Sequence, residues 1–366
     1  MLKKIKLTHF RSFSETEVYI ENINVLIGGN GAGKSNFISL FAMLNYIQIG
    51  RLGDWIANKG GFDNIVYNGI QENEFINLSF SFDAESSKGQ NIYELSLRAT
   101  EEDYIVDAEK FYLWKYHESP KPFFQHQETN QKETQLKYLA ERQAEIPYYI
   151  YSNIKGFQVF HFDDVSANCN KKRLQNLDDA YPLHPEGDNI AAFLYYLKQN
   201  YIDNYDKILE IIRLVTPYFD DFILEPELTN PNQIKLKWRE KNNLKIFSAA
   251  LISEGTIRFI CLCALLLQPI PPLLIVIDEP ELGLHPLAIS FLAEMIKKAS
   301  CRGQIILSTQ SVTLLNQFEP SDILVVDRDQ SGSQINRLNE QELQDWLDEY
   351  SLGQLWENNY LGGFKQ

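Results

Sequence analysis

Eight consecutive residues near the start of the chain have the types and spacing that bind phosphate. Gly28-Gly29-Asn30-Gly31-Ala32-Gly33-Lys34-Ser35 matches the pattern G-x-x-x-x-G-K-[ST] in full. Glycines let the backbone wrap closely around an anion, so that its N–H groups point at phosphate oxygens. Lys34 is predicted to reach the β- and γ-phosphates of a nucleotide, and the Ser35 hydroxyl to ligate Mg²⁺. The residues predicted to bind the nucleotide here are Asn30, Gly31, Ala32, Gly33, Lys34, Ser35 and Asn36.

Two adjacent carboxylates follow an apolar run much later in the chain. Residues 273–277 read LLIVI, and Asp278 and Glu279 come directly after them. At the end of a strand beside a phosphate loop, Asp278 would hold Mg²⁺ directly or through water. Glu279 would then be the base, or the orienting acceptor, for an attacking water. The alternative is that both are solvated acids at the start of a turn.

A third group, Ser253, Gly255 and Thr256, stands at the start of an apolar stretch with helical character. Serine is a favoured N-cap residue, and Gly255 is expected to keep the first turn open. The N-terminus of such a helix can hold an anion. The alternative is a plain N-cap for a helix of the core.

The elements that position these groups can be predicted from apolar patterning. Residues 23–27, INVLI, predict a buried strand directly before the phosphate loop, and residues 35–47 a helix directly after it. From residue 254 to residue 326, strands and helices alternate, which predicts an α/β fold with a mostly parallel sheet. Residues 74–114 alternate apolar and polar residues and predict an antiparallel meander. Residues 125–142 are polar and predict either a loop or an exposed helix.

Charge and composition limit the functional classes. The formal net charge is −15, with 34 Lys and Arg against 49 Asp and Glu, so the chain has no general attraction for nucleic-acid backbones. Two local basic clusters are exceptions: Lys235, Lys237 and Arg239 on a predicted hairpin, and Lys171-Lys172-Arg173 in a predicted loop. The hairpin cluster is a candidate DNA contact or a solvated face.

The cysteines and the apolar segments of the sequence indicate the cellular compartment of the protein. The four cysteines lack metal-ligand spacing, and Cys261 and Cys263 are expected to be buried thiols. No signal peptide or membrane span is recognisable, which predicts a cytoplasmic protein without membrane contact.

Together these groups resemble the ABC-type ATPases of the RecF/SMC-like branch. Residues 251–256, LISEGT, resemble the ABC signature, residues 281–286, ELGLHP, resemble the D-loop, and Phe10-Arg11-Ser12-Phe13 is similar to the start of RecF and SMC heads. With its ending near Gly362-Gly363, the chain looks most like short bacterial RecF-like AAA-family ATPases. The resemblance implies an ATP phosphohydrolase that binds ATP and Mg²⁺ and dimerises around two nucleotides. Ser253, Gly255 and Thr256 of one copy would then grip the γ-phosphate held by the other.

The resemblance also implies an organisation in three parts. Residues 1–164 would be the N-terminal part of the ATPase head, with an antiparallel subdomain at about 71–118. Residues 165–250 would be a helical and hairpin insertion, and residues 251–366 the C-terminal part of the head. Related ATPases of the overcoming-lysogenization-defect type carry a Toprim nuclease domain after the ATPase. Too few residues follow Val326 here for such a domain, so this chain alone is not expected to cut DNA.

Some positions fit the family pattern less closely. Gln310 stands where ABC ATPases generally place a switch histidine, and a glutamine cannot become cationic, so slow turnover is expected. Arg11 would contact the nucleotide by resemblance; the alternative is a surface cation near an acidic patch. His161-Phe162-Asp163-Asp164 falls where a Q-loop is expected but contains no glutamine. His285 either touches the partner copy or is structural.

Three functional classes remain for comparison. The first is an ATPase of DNA repair, DNA maintenance or anti-phage defence that closes on DNA or a partner. The second is a sensor ATPase that controls a separately encoded effector, such as a nuclease or toxin, without binding DNA itself. The third, a transporter subunit, is disfavoured by the opening strand pattern, by the ISEGT signature and by Gln310.

Overall fold

The structure, a computed structural model, describes residues 1–84, 89–101, 103–115, 123–163 and 170–363. The chain forms two compact units, which we call the first unit (Met1–Gln158 with Glu319–Gln366) and the second unit (Val159–Phe318). In chain order, the strands of the described residues are β1 (Leu2–Phe10), β2 (Phe13–Tyr19), β3 (Ile23–Ile27), β4 (Phe75–Asp83), β5 (Gly89–Ala99), β6 (Tyr104–Lys115), β7 (Phe123–Gln131), β8 (Phe157–Phe160), β9 (Leu174–Asn176), β10 (Phe219–Ile223), β11 (Pro226–Glu227), β12 (Asn230–Lys235), β13 (Lys237–Glu240), β14 (Ile246–Ser248), β15 (Leu274–Ile277), β16 (Gln304–Ser308), β17 (Ile323–Asp329) and β18 (Gly332–Arg337). The helices are α1 (Lys34–Ile49), α2 (Leu52–Asn58), α3 (Leu136–Glu141), α4 (Glu145–Lys155), α5 (Ile190–Asn200), α6 (Ile202–Val215), α7 (Glu254–Leu267), α8 (Pro286–Ser300), α9 (Val312–Leu315), α10 (Glu340–Leu347) and α11 (Leu352–Glu357).

The first unit contains an antiparallel sheet with the strand order β2-β1-β4-β5-β6-β7. The predicted meander forms its centre, and the two opening strands extend it on one side. A line of aromatic rings crosses β4, β5 and β6: the centroids of Phe80 and Tyr93 lie 6.2 Å apart, and those of Tyr93 and Phe111 5.4 Å apart. These buried rings make one face of the sheet part of the core.

The prediction of a loop or exposed helix at residues 125–142 was wrong for residues 125–131, whereas a helix does form at Leu136–Glu141. Residues up to Gln131 belong to β7, which pairs with β6, and α3 buries Leu136 and Ala140. A strand at the edge of a sheet is held by backbone hydrogen bonds, which polar residues form as well as apolar ones, so hydropathy gave no signal. The start of α3 is held by Glu109, whose carboxylate accepts hydrogen bonds from the backbone N–H groups of Gln135 and Leu136.

The phosphate loop lies in the first unit, between strands that come from opposite ends of the chain. All five residues of β3 are buried, as the INVLI run predicted. β17 runs parallel to β3, with Val325 opposite Ile27, and β18 is antiparallel to β17. The loop therefore leaves β3 beside Val326, in the middle of β17, and α1 follows it.

The second unit is built around α7. Parallel strands β15 and β16 lie side by side, and α5, α6 and α8 all pack against α7. Every residue of α7 from Ile257 onward is buried, and the thiols of Cys261 and Cys263 are fully so, as expected. The helix ends before Gln268, ahead of the proline-containing segment that leads to β15.

The predicted hairpin forms, but its ladder is split between two small sheets. β10 pairs with β13 in the sheet β10-β13-β14, and β11 pairs with β12 in the sheet β11-β12-β9. The chain passes from one small sheet to the other at Leu236, which lies between the last residue of β12 and the first residue of β13. The side chain of Leu236 is buried.

Helices in the described part of the chain lack the combination of length and apolarity that a bilayer-spanning helix requires.

Candidate functional site

Lys34 lies at the centre of the phosphate loop in the first unit. Its buried ammonium donates hydrogen bonds to the carbonyl oxygens of Gly28, at 2.7 Å, and Gly29, at 3.2 Å. Gly33 precedes α1, and within the described part of the chain no side-chain hydrogen bond caps that helix. The first N–H groups of a helix carry a partial positive charge, so the loop concentrates cationic character at one point. The loop residues exposed to solvent are Asn30, Gly31 and Ser35.

The shape of the loop is fixed by the neighbouring strands. A Cβ atom on Gly28 would lie 2.3 Å from the carbonyl oxygen of Val326 in β17, a distance that no side chain allows. Ser333 of β18 donates a hydrogen bond of 2.5 Å to the carbonyl of Ala32. The first glycine of the pattern is therefore required by packing against β17, in addition to any contact with phosphate.

Arg11 and Asn36 contact each other in the structure. Arg11 Nη1 donates to Asn36 Oδ1 at 3.0 Å, and the Asn36 amide donates to Ser12 Oγ at 2.9 Å. The guanidinium also lies over the ring of Trp55, 5.8 Å from its centroid, and burial lowers the pKa of Arg11 from its usual value. Arg11 is half-buried, so its guanidinium is only partly exposed to solvent.

In the second unit, parallel pairing brings four polar residues together at one end of β15 and β16. The Ser308 hydroxyl donates to the carboxylate of Asp278, and the backbone N–H of Glu279 contacts Ser308 O and Oγ, each at 3.2 Å. The side-chain amide of Gln310 donates to Glu279 Oε1. Glu279 has φ 43°, a conformation that is uncommon outside glycine and is typical of functional turns.

Ser308 was not singled out from the sequence as a site residue. The signal was available, because the carboxyl ends of adjacent parallel strands meet at the same sheet edge and Ser308 ends β16. Gln310 was placed at the switch-histidine position by resemblance, and in the structure its amide contacts Glu279. Gln310 therefore contacts the candidate base, Glu279, directly.

A second carboxylate of this region, Glu281, is buried. Its Oε1 accepts hydrogen bonds from the Thr309 hydroxyl and from the backbone N–H of Gln310, while Oε2 has no hydrogen-bond partner among the described residues. Burial raises the pKa of Glu281, against the opposing effect of these hydrogen bonds. The side chain joins the segment after β15 to the segment after β16.

The signature segment (residues 251–256) and the D-loop (residues 281–286) are in close backbone contact. Ser253 caps α7 as predicted: its hydroxyl accepts from Thr256 N at 3.2 Å and lies 2.7 Å from Thr256 Oγ1. A Cβ atom on Gly255 would lie 2.2 Å from the carbonyl oxygen of Gly283. The absence of a side chain at Gly255 therefore lets the D-loop pass directly over the first turn of α7. This requirement for glycine could not be predicted from the local sequence.

Arg258 strengthens this junction and was missed by the sequence reasoning. Its side chain is only 8% exposed, and Nη1 donates to the carbonyl of Leu282 in the D-loop. Nε donates to the carbonyl of Phe162 at 3.4 Å, and Nη2 lies 3.6 Å from the carboxylate of Asp163. One buried guanidinium thus joins the signature helix, the D-loop and the segment after β8.

The small sheet β10-β13-β14 forms one wall of a cavity beside the signature segment. The cavity has a volume of about 320 Å³, and Ser253 and Thr256 are among the residues that line it. Trp238 lies in its aromatic wall, with ring centroids 6.0 Å from Phe219 and 5.0 Å from Phe247. The hairpin therefore shapes the surface around Ser253.

The basic clusters predicted from the sequence are largely neutralised or buried. Lys237 pairs with Glu227 at 2.7 Å, and Arg239 pairs with Asp220 at 2.7 Å. In the second cluster the side chains of Lys171 and Lys172 are buried, and Arg173 is exposed. Salt-bridged and buried cations attract phosphate backbones less than free surface cations do.

Two histidines can also be placed. The imidazole of His285 caps α8 by accepting from Leu287 N at 3.2 Å, which is the structural role that the sequence left open. His161 is exposed at the end of β8, and its backbone N–H donates to Pro185 O at 2.9 Å. Asp164, the last residue of the segment compared with a Q-loop, lies outside the described residues.

Comparison with solved structures shows the same fold in SMC heads. The chain is similar to "SmcHead bound to the C-winged helix domain of ScpA", with a TM-score of 0.62 and 13% identity over 94% of this chain and 99% of that chain. It is also similar to the Smc head domain with an extended coiled coil, bound to the C-terminal domain of ScpA derived from Pyrococcus furiosus, with a TM-score of 0.60 and 12% identity over 95% and 98%. The fold is therefore the α/β P-loop NTPase fold of an SMC-type ATPase head.

Sequence comparison shows the family. No curated protein matches the chain significantly. Residues 23–316 match the family described as "AAA domain, putative AbiEii toxin, Type IV TA system". Because this match spans most of the chain, from the strand before the phosphate loop to the segment after Gln310, the chain belongs to that family of AAA-type ATPases.

Proposed function

We propose that this ATPase binds ATP with Mg²⁺, hydrolyses it slowly, and acts as a switch in which two copies close around two nucleotides. The phosphates are assigned to residues 30–36 with Lys34, and Arg11 supports that loop through Asn36. The other copy contributes Ser253, Gly255 and Thr256. Mg²⁺ is assigned to the hydroxyl of Ser35 and the carboxylate of Asp278, hard oxygen donors of the kind this ion prefers.

The contact between Glu279 and Gln310 is the observation that carries the proposal of hydrolysis. Glu279 is half-buried at the end of β15, and the Gln310 amide donates to one of its two carboxylate oxygens. That hydrogen bond orients the carboxylate and leaves its other oxygen to accept a proton from water. A neutral amide adds no positive charge to the transition state, which supports slow turnover.

In the proposed reaction, Glu279 accepts a proton from water as the water oxygen bonds to the γ-phosphorus. The bond from the γ-phosphorus to the bridging oxygen breaks, and ADP and inorganic phosphate are the products. Lys34 and the N–H groups of the loop bind the phosphate oxygens throughout. Mg²⁺, when bound, neutralises charge on the β- and γ-phosphates. Loss of the γ-phosphate removes the group on which the second copy closes, so the dimer loosens.

Exposed apolar side chains support an association surface at the signature segment and D-loop. Leu251 is 67% exposed, Leu282 is 53% exposed, and Leu287, just after the D-loop, is 47% exposed. Apolar side chains grouped around polar binding residues are typical of surfaces that become buried on association. Because Arg258 links the first turn of α7 to Leu282, the two segments would meet a partner together.

The structure favours a separately encoded protein as the object of the switch, with DNA as the second candidate. Lys237 and Arg239 of the hairpin are paired with acids, and the net charge of −15 opposes binding to a phosphate backbone. The family description names a toxin of type IV toxin–antitoxin systems, and the similar SMC heads were solved with a domain of ScpA bound. The family description supports a role in defence, and the ScpA-bound heads support action through a partner protein.

The test is steady-state ATP hydrolysis by the pure chain, with and without double-stranded DNA and with Lys34→Ala as the blank. We expect slow hydrolysis, abolished in Lys34→Ala and unchanged by DNA. Stimulation of several-fold by DNA would instead support the DNA-maintenance role. Hydrolysis that persists in Lys34→Ala would contradict the assignment of the phosphate loop.

The dimer is tested with Glu279→Gln, which keeps the side-chain volume and removes the base. We expect this variant to bind ATP and accumulate as a dimer in size-exclusion chromatography with light scattering. Glu294→Gln, a substitution of the same kind at an exposed position of α8, serves as the control. A Glu279→Gln protein that stays monomeric with ATP bound would rule out the two-copy site.

A further inference from the structure

The last described residues of the chain cover one side of the phosphate loop. Gly29 N donates a hydrogen bond of 2.7 Å to the carbonyl oxygen of Gly363. Gly363 N in turn donates to Asp327 Oδ1 at 2.6 Å, and Asp327 belongs to β17, the strand beside β3. A continuous line of hydrogen bonds therefore runs from β17, through the turn at residues 361–363, to the start of the phosphate loop. We call residues 361–363 the glycine turn.

Both glycines of this turn are required by the close approach. Gly362 and Gly363 have φ values of 83° and 92°, in the region that favours glycine. A Cβ atom on Gly363 would lie 3.1 Å from the Cα of Gly28, and one on Gly362 would lie 2.8 Å from Asp327 Oδ2. The turn touches the backbone of the loop itself, which larger residues would prevent.

The glycine turn is anchored to the first unit by buried side chains. α11 buries Leu352, Leu355 and Trp356, and Leu361 is buried directly before the two glycines. The helix begins with a capping box, in which Ser351 and Gln354 satisfy each other's backbone N–H groups. The turn is therefore held against the loop by a packed helix.

We propose that the glycine turn, held by Asp327, is a positioning element for the phosphate loop and raises its affinity for nucleoside triphosphate. This inference rests on the proposed function, in which the loop binds ATP. The hydrogen bond from Gly29 fixes the end of the loop that leaves β3, so that the N–H groups further along are already arranged for phosphate oxygens. A loop that is already ordered loses less conformational entropy when the nucleotide binds, and the affinity for the nucleotide is therefore higher.

The phosphate loop is also held by contacts that do not involve the glycine turn, so the effect of the turn on ATP affinity can be distinguished from an effect on the stability of the protein. Ser333 holds the carbonyl of Ala32, and Arg328 Nη1 contacts the carbonyl of Gly31 at 3.4 Å. Neither depends on the glycine turn, so the loop keeps its place between β17 and β18 when the turn is released. Loss of the turn should therefore lower ATP affinity more than it lowers the stability of the protein without nucleotide.

The experiment compares Asp327→Ala with Asp327→Asn and Asp329→Ala in the full chain. Asparagine keeps an oxygen that can accept from Gly363 N, and Asp329→Ala removes a carboxylate from the same strand that accepts hydrogen bonds from Ser331 N and Oγ. The dissociation constant for ATP with Mg²⁺ is measured by isothermal titration calorimetry, and the melting temperature is measured without nucleotide. We expect about tenfold weaker binding in Asp327→Ala, equivalent to about 1.4 kcal/mol. Asp327→Asn should stay within about twofold of the wild type, because it keeps an acceptor for Gly363 N. Asp329→Ala should stay in the same range, because the hydrogen bonds from Ser331 that it loses lie in the turn between β17 and β18.

Gly363→Ala gives a second measurement at the other end of the hydrogen bond, and it should weaken ATP binding in the same direction. The inference is overturned if Asp327→Ala and Gly363→Ala bind ATP as the wild type does, if asparagine at position 327 fails to restore binding, or if Asp329→Ala loses as much affinity. Failure of the proposed function looks different, because the wild type itself would then not bind ATP, or Lys34→Ala would bind it equally well.

Discussion

The contact between Gly255 and Gly283 makes a prediction whose sign opposes helix propensity. Gly255 is the second residue of α7 and has no positive φ, so its backbone conformation accepts alanine. Propensity alone predicts that Gly255→Ala stabilises the protein by about 0.5–1 kcal/mol. However, the added Cβ would lie 2.2 Å from the carbonyl oxygen of Gly283 and 3.2 Å from its carbonyl carbon. The D-loop backbone would have to move by about 1 Å to restore an ordinary contact.

That movement has a cost which can be estimated. Forcing extra volume into a packed region costs about 1–3 kcal/mol. The displaced D-loop would also weaken the hydrogen bond from Arg258 to Leu282. We therefore expect Gly255→Ala to lower the free energy of unfolding by about 1–2 kcal/mol, the net of the overpacking cost and the helix gain. Because the D-loop is displaced, ATP-dependent dimerisation should fall as well.

Gly53→Ala is the matched control, because Gly53 is the second residue of α2. The nearest atom to its added Cβ is the hydroxyl of Tyr104 at 3.3 Å, the end of a side chain. Both variants are compared with the wild type by urea denaturation, followed by tryptophan fluorescence. We expect Gly53→Ala to be neutral or slightly stabilising. If Gly255→Ala is as stable as Gly53→Ala and dimerises normally, the close contact with Gly283 does not exist in solution.

Three further changes test other parts of the structure. Arg258→Met should cost about 2–4 kcal/mol in urea denaturation, because buried carbonyl groups lose their donor; a cost below 1 kcal/mol would contradict the buried junction. Burial raises the pKa of Glu109 from 4.5 to about 7, so its contribution to stability is present below about pH 4.5 and is lost as the pH rises through 7. The melting temperature of Glu109→Gln should therefore fall less than that of the wild type between pH 5 and pH 8, and equal falls would refute a raised pKa. Gln310→His should change the rate of ATP hydrolysis, because the imidazole takes the place of the amide that contacts Glu279; an unchanged rate in a phosphate-release assay would show that Gln310 is not at the site.

The features that sequence patterns could predict depend on short stretches of chain. The strand before the phosphate loop, the helix after it, the Ser253 cap and the acidic end of β15 each follow from hydrogen bonding and apolar spacing within a few residues. Hydropathy could not show β7, because an edge strand is specified by backbone pairing with β6. The roles assigned to the site residues stay predictions, to be tested by the experiments above.

Contacts between distant segments were decided by the tertiary structure. Gly29 meets Gly363, and Gly255 meets Gly283, because a sheet and a helix bring their backbones within van der Waals distance. Each glycine can be seen in the sequence, but the atom with which a Cβ at that position would clash belongs to a distant segment of the chain. Arg258 illustrates the same limit, since an arginine in an apolar helix has no evident role until the carbonyl groups that accept its hydrogen bonds are in place. Local patterns specify which elements form, whereas packing decides which residues of those elements touch.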